Sequence, residues 1–159
     1  MKVDLSGDEV RLYDFNALEA FRIARKMESE GIKLYKSMRE KIKDPGVRDV
    51  LDFLIEEEKK HLALFENMVE KLSKTEEADT DLVDIADSQI MSELTGIDNL
   101  EELLFSSKEV LKLGISVEQR AISFYNQLLE NTSDPDGRKS LEMIIEEEKM
   151  HAEKFKSLL

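Results

Sequence analysis

The sequence predicts an all-α protein: a four-helix bundle of two duplicated helical hairpins joined by a long crossover. Three observations carry that prediction. Breakers are scarce, with 6 Gly and 2 Pro in 159 residues, while good helix formers such as Glu, Lys, Leu and Met abound. The two prolines stand in near-identical turn settings 90 residues apart, Asp44-Pro45-Gly46 and Asp134-Pro135-Asp136-Gly137. Sliding the chain by 90 aligns residues 15–69 with 105–159 without a gap, and 17 of the 55 pairs are identical, where average usage gives about 3 to 4 by chance. A single domain over 1–159 follows, with repeat 1 at about 15–69, a linker at about 73–105 and repeat 2 at about 105–159.

Taken in order, Met1 to Val10 is acidic and polar, without the basic start and apolar run of a signal peptide. Apolar runs of only a few residues, such as Phe53 to Ile55, exclude a membrane-spanning helix, and the cytoplasm is the expected location. The first helix is predicted over about 16–42. Asn16 followed by Glu19 has capping-box spacing, in which side chains satisfy otherwise unpaired amides. The second helix, about 46–72, starts after the short turn at Pro45, so the two are antiparallel neighbours. Residues 73–105 hold the acidic stretch Glu76 to Asp81 and a short helix around Leu82 to Leu94. A connection of that length can run the full height of a bundle and leave the second and third helices parallel; an up-down bundle with a decorated loop is the alternative. The third helix, about 106–131, repeats the capping spacing with Ser106 and Glu109, and the fourth, about 136–158, follows the turn at Pro135.

Composition narrows the chemistry. Acidic residues outnumber basic ones 36 to 23, a net charge of -13, which disfavours nucleic acid and anionic membrane surfaces and favours cations. The chain has no cysteine, which removes disulfides, zinc ribbons, iron–sulfur and rubredoxin-type centres and cysteine nucleophiles. Carboxylates and the two histidines remain as strong metal ligands.

Those histidines break the apolar pattern. In steps of seven, the first helix reads Phe21, Glu28, Tyr35, Ile42 beside Ala17, Ala24, Gly31, Met38, so Glu28 stands in the core seam. The third repeats it with Leu111, Glu118, Tyr125, Thr132 beside Ser107, Gly114, Ala121, Leu128. Small neighbours one turn either side are expected to leave room beside each carboxylate. The second helix places Glu58 and His61 where Leu belongs, and the fourth places Glu148 and His151. Each Glu-x-x-His pair lies on one helix face, one turn apart. Glu28 is 16 residues before Asp44 and Glu58 is 13 after Pro45, so both lie about 20 to 24 Å from the hairpin bend. Four carboxylates and two imidazoles therefore meet near mid-height. Burying four negative charges uncompensated costs several kcal/mol per ion. Two divalent cations cancel them, so the pattern predicts a dinuclear site with ligands from all four helices. The mixed O and N donors suit iron first and manganese second, and do not match thiolate sites or all-oxygen calcium loops.

A mid-helix Glu with Tyr seven residues on, then Glu-x-x-His, all repeated, resembles the ferritin-like di-iron carboxylate proteins and most closely the rubrerythrin group, across nearly all of residues 15–159. The resemblance implies a ferritin-like bundle in which Glu28, Glu58, His61, Glu118, Glu148 and His151 hold two iron ions per chain. Either Glu58 and Glu148 or the other two carboxylates would bridge. It further implies reduction of hydrogen peroxide or dioxygen, each iron giving one electron, with electrons from a rubredoxin-type donor. Two departures stand out. Without Cys, electrons have to come from an external rubredoxin-like partner. The extra Glu that many rubrerythrins carry one turn from the third-helix Glu is missing, since those positions are Gly114, Ile115, Ala121 and Ile122. A homodimer is compatible with the group.

Around the six, Glu56, Glu57, Glu146 and Glu147 read as solvated helix face, with the sharper alternative that Glu57 and Glu147 accept the outer N–H of a histidine and fix its tautomer. Tyr35 and Tyr125 either pack in the core or act on the site, through a hydrogen bond to a ligand carboxylate or as a nearby one-electron donor. The leading function is a di-iron oxidoreductase of peroxide or oxygen; the alternatives are a ferroxidase that handles iron and a non-enzymatic, metal-stabilised bundle.

Overall fold

In the computed structural model, which describes residues 2–4, 11–78 and 106–159, the helices begin where side chains can cap them. Helix α1 spans Ala17–Lys41. Asn16 accepts from the Glu19 amide while the Glu19 carboxylate accepts from the Asn16 amide at 3.1 Å, a complete capping box. Helices α2 (Pro45–Leu72) and α4 (Pro135–Lys156) each begin on a proline preceded by an aspartate cap. Proline suits that position because its missing N–H would be unpaired there anyway. Helix α3 (Ser107–Asn131) is capped by Ser106, but only half of the expected box forms. The Glu109 carboxylate takes the Ser106 hydroxyl at 3.1 Å, and no bond from it to the Ser106 amide is made.

Turns of three residues, Ile42 to Asp44 and Thr132 to Asp134, fold α1 onto α2 and α3 onto α4 as antiparallel hairpins. Hairpins meet α1 to α3 and α2 to α4. The direction of these contacts follows from two side-chain pairs: Tyr35 reaches Glu118 and Tyr125 reaches Glu28, so seven residues forward on α1 answer to seven backward on α3. With α1 antiparallel to both α2 and α3, α2 and α3 run parallel. The chain joining them must therefore cover the bundle's length, as a ferritin-like topology demands. The short helix expected around Leu82 to Leu94 and most of the linker lie outside the described residues.

Two features depart from the expected pattern. Lys2–Asp4 and Arg11–Tyr13 form a small antiparallel ladder, with Val3 opposite Leu12, ahead of α1. The small residue Gly114 does not leave room beside Glu118. Any Cβ there would fall 2.5 Å from the Phe155 ring, so the glycine serves close helix packing. No helix among the described residues is long and apolar enough to cross a membrane.

The core above and below mid-height is aliphatic and aromatic. Phe21, Phe65, Leu128 and Leu141 are buried toward one end, and Met38, Leu51, Leu54 and Phe155 toward the other. Apolar contacts of this kind keep water from the polar layer between them.

Candidate metal centre

Six ionisable side chains occupy that layer, and all are buried: Glu28, Glu58, His61, Glu118, Glu148 and His151 are each exposed by 4 % or less. They are the six singled out by sequence, brought together from four helices. One ligand atom each from Glu28, Glu58, His61 and Glu148 lie within 4.8 Å of one another, and so do those from Glu58, Glu118, Glu148 and His151. Glu58 and Glu148 belong to both quartets.

The carboxylate oxygens explain that sharing. Glu58 turns Oε2 to His61 Nδ1 at 2.9 Å and Oε1 to His151 Nδ1 at 3.2 Å. Glu148 mirrors it, with Oε2 at 3.0 Å from His151 Nδ1 and Oε1 at 3.2 Å from His61 Nδ1. Glu28 and Glu118 stand farther out, at 3.7 Å from His61 and 3.9 Å from His151. The two imidazole rings stack at 5.6 Å between centroids.

Both tyrosines reach the cluster from the opposite hairpin. Tyr125 donates its hydroxyl to Glu28 Oε1 at 2.5 Å, and Tyr35 donates to Glu118 Oε1. Each ring packs on a phenylalanine, Tyr35 on Phe155 and Tyr125 on Phe65. Of the flanking acids, Glu56 and Glu146 are exposed and paired with Lys59 and Lys149. Glu147, half-buried, lies 2.8 Å from His61 Nε2. A cavity of about 30 Å³ opens beside Glu28 and Glu118, bounded by Met27, Gly31, Leu34 and Ala121. This is the room that small neighbours were expected to leave beside the two carboxylates, found at Gly31 and Ala121 and not at Gly114. Gly31 and Ala121 face it at equivalent positions of the repeats.

Without an ion, protons do the neutralising. Burial, reinforced by the charges of Glu58 and Glu148, pushes Glu28 and Glu118 well above the usual carboxylate range. Burial also pushes Glu148 up, but its bonds to His151 and His61 outweigh this and hold it well below that range. For the histidines burial acts downward, and bonds to Glu148 and Glu58 overcome it, raising His61 to about 12 and His151 to about 9. The tyrosine hydroxyls are pushed up by burial and by the neighbouring carboxylates, so they remain donors.

A metal pair fits the same groups. Donors that each bind one ion at about 2.0–2.2 Å stand no more than about 4.4 Å apart, and the two quartets need only contract slightly to reach that spacing. The donors are carboxylate and imidazole, which suit iron and manganese. A model of the rubrerythrin family matches residues 19–159. The chain belongs to the rubrerythrin family. No curated protein and no solved structure matches the chain, so this assignment rests on the family model together with the bundle. Rubrerythrin membership implies a di-iron protein, and the buried Glu and His clusters could hold metal ions. The family also suggests peroxide and oxygen as substrates.

Proposed function

We propose that the six buried side chains bind two iron ions per chain, with Glu58 and Glu148 bridging, Glu28 and His61 completing one position and Glu118 and His151 the other. On this reading the loaded protein reduces hydrogen peroxide or dioxygen, using electrons from an external redox partner. The observation that carries it is the division of each central carboxylate between both histidines. A carboxylate serving one ion would not need to present one oxygen to each side.

A reduced iron pair supplies two electrons, and with two protons these convert one peroxide to two waters. The rest of the work belongs to this chain. The cavity at Gly31 and Ala121 has room for about one small molecule beside Glu28 and Glu118. Its rim is apolar, formed by Met27, Leu34 and Val117. Tyr35 and Tyr125 hold their protons at Glu118 and Glu28, and so fix those carboxylates while keeping a proton at the cavity wall.

The test is anaerobic reduction of the iron-loaded protein followed by titration with peroxide. Stoichiometric, rapid oxidation by one peroxide per iron pair, with turnover once a reductant is supplied, supports the proposal. Indifference of the reduced protein to peroxide removes it. A second reading, a metal-free bundle, is favoured by the bonds that already close within the cluster. It predicts protein purified without chelator that carries no iron or manganese and takes up none.

A further inference from the structure

The duplication makes the six cluster positions equivalent, yet their surroundings differ. His61 Nε2 points away from the cluster and meets Glu147 Oε2 at 2.8 Å. Repeat 1 carries Glu57 in the position of Glu147, and the same bond to His151 Nε2 would be expected. Among the described residues no carboxylate oxygen contacts His151 Nε2. Glu57 instead accepts from Lys60 Nζ at 2.5 Å, one helical turn on. In repeat 2 the position of Lys60 is held by Met150, which has no proton to donate and is 56 % exposed. Glu147 is thus free of any lysine at that spacing and turns to the imidazole. The outer side of His151 has Phe53 instead, its ring edge-on at 6.3 Å with Lys154 Nζ 4.3 Å above it, where repeat 2 has Met143.

We infer that Glu147 is a positioning residue for His61 alone, and that the exchange of Lys60 for Met150 between the repeats makes the two metal positions unequal. The inference rests on the six-ligand reading above. An imidazole that donates Nε2–H to a carboxylate is fixed in the tautomer that leaves Nδ1 for a metal. Its ring is oriented and its basicity raised, and losing such a partner typically costs about 10- to 100-fold in metal affinity. Among the described residues, only His61 has that partner. The position built on Glu28 and His61 therefore fills first.

Zinc is the probe, being diamagnetic and free of redox change. In the full-length protein with nitrogen-15 histidine, saturated with zinc, NMR should count one imidazole Nε2–H protected from exchange. Lys60→Met frees Glu57 and should raise the count to two, while bringing the two zinc-binding steps closer in affinity. Met150→Lys draws Glu147 away and should lower it to none, as should Glu147→Ala. Glu147→Gln, whose amide oxygen still accepts, restores the signal. These side chains lie at the helix surface, so the fold is spared. Two protected protons in the unsubstituted protein, or a count unmoved by Met150→Lys, overturns the inference. Failure to bind zinc at all counts instead against the metal reading. The same count in the metal-free protein, where the Glu147 contact needs no ion, then decides the positioning role separately.

Discussion

At the scale of single residues, the cluster is a set of charges placed where Leu would be cheaper, and the two neutralising agents, protons and cations, compete for one set of lone pairs. The split of Glu58 and Glu148 between both histidines gives an uneven prediction for their removal. Glu58→Ala and Glu148→Ala should each lose both irons, because either change strips an oxygen from both positions. Glu28→Ala and Glu118→Ala should retain about one iron per chain. Circular dichroism checks the fold alongside, since removing Glu58 or Glu148 breaks buried pairs with both histidines at a cost of about 3–5 kcal/mol. Metal analysis after desalting reads the difference, and equal loss in all four variants would contradict the bridging assignment. The six residues were legible in the sequence because charged groups at heptad positions, repeated 90 residues on, have no other reason to be there. Which two carboxylates stand between the histidines was not, because heptad position gives a face and a height but no rotamer. Nor were the partners of Tyr35 and Tyr125, which depend on how α1 is registered against α3.

At the scale of elements, the helix limits agree with the capping and proline signals to within a residue or two, since those signals act locally. The strands Lys2–Asp4 and Arg11–Tyr13 escaped notice because three residues are too few to show alternation. Two mid-helix glycines separate local propensity from packing. Gly31 has nothing within 4 Å of an added Cβ, so Gly31→Ala should stabilise α1 by about 0.5–1 kcal/mol. At Gly114 the same methyl meets Phe155 at 2.5 Å. The cost of overpacking, about 1–3 kcal/mol, should there outweigh the helix gain. Thermal unfolding midpoints that move in opposite directions for the two variants are the expected result.

At the scale of the whole molecule, pH should act differently on the metal-free and loaded forms. In the metal-free fold Glu28 and Glu118 are raised by burial, and His61 and His151 are raised to about 12 and about 9 by their carboxylate partners. Above the ordinary histidine value the folded state therefore binds more protons than the unfolded chain. Its stability falls as pH rises through neutrality toward about 9. Glu148, held low, contributes the opposite slope only below the ordinary glutamate value. Two divalent ions compete with the protons held by this cluster, so loading should release protons and tighten with pH. The gap between the unfolding midpoints of loaded and metal-free protein should widen from about pH 6 to about pH 9. Calorimetry in buffers of different ionisation enthalpy counts the protons released.

The claim beneath all of this is that the polar layer at mid-height exists to hold a pair of iron ions. Loading the full-length protein with Fe(II) under nitrogen, passing it through a desalting column and measuring iron against protein addresses it directly. Two irons per chain, saturating without further uptake, is the predicted result. A chain that emerges without iron, its cluster closed on its own protons, would contradict it.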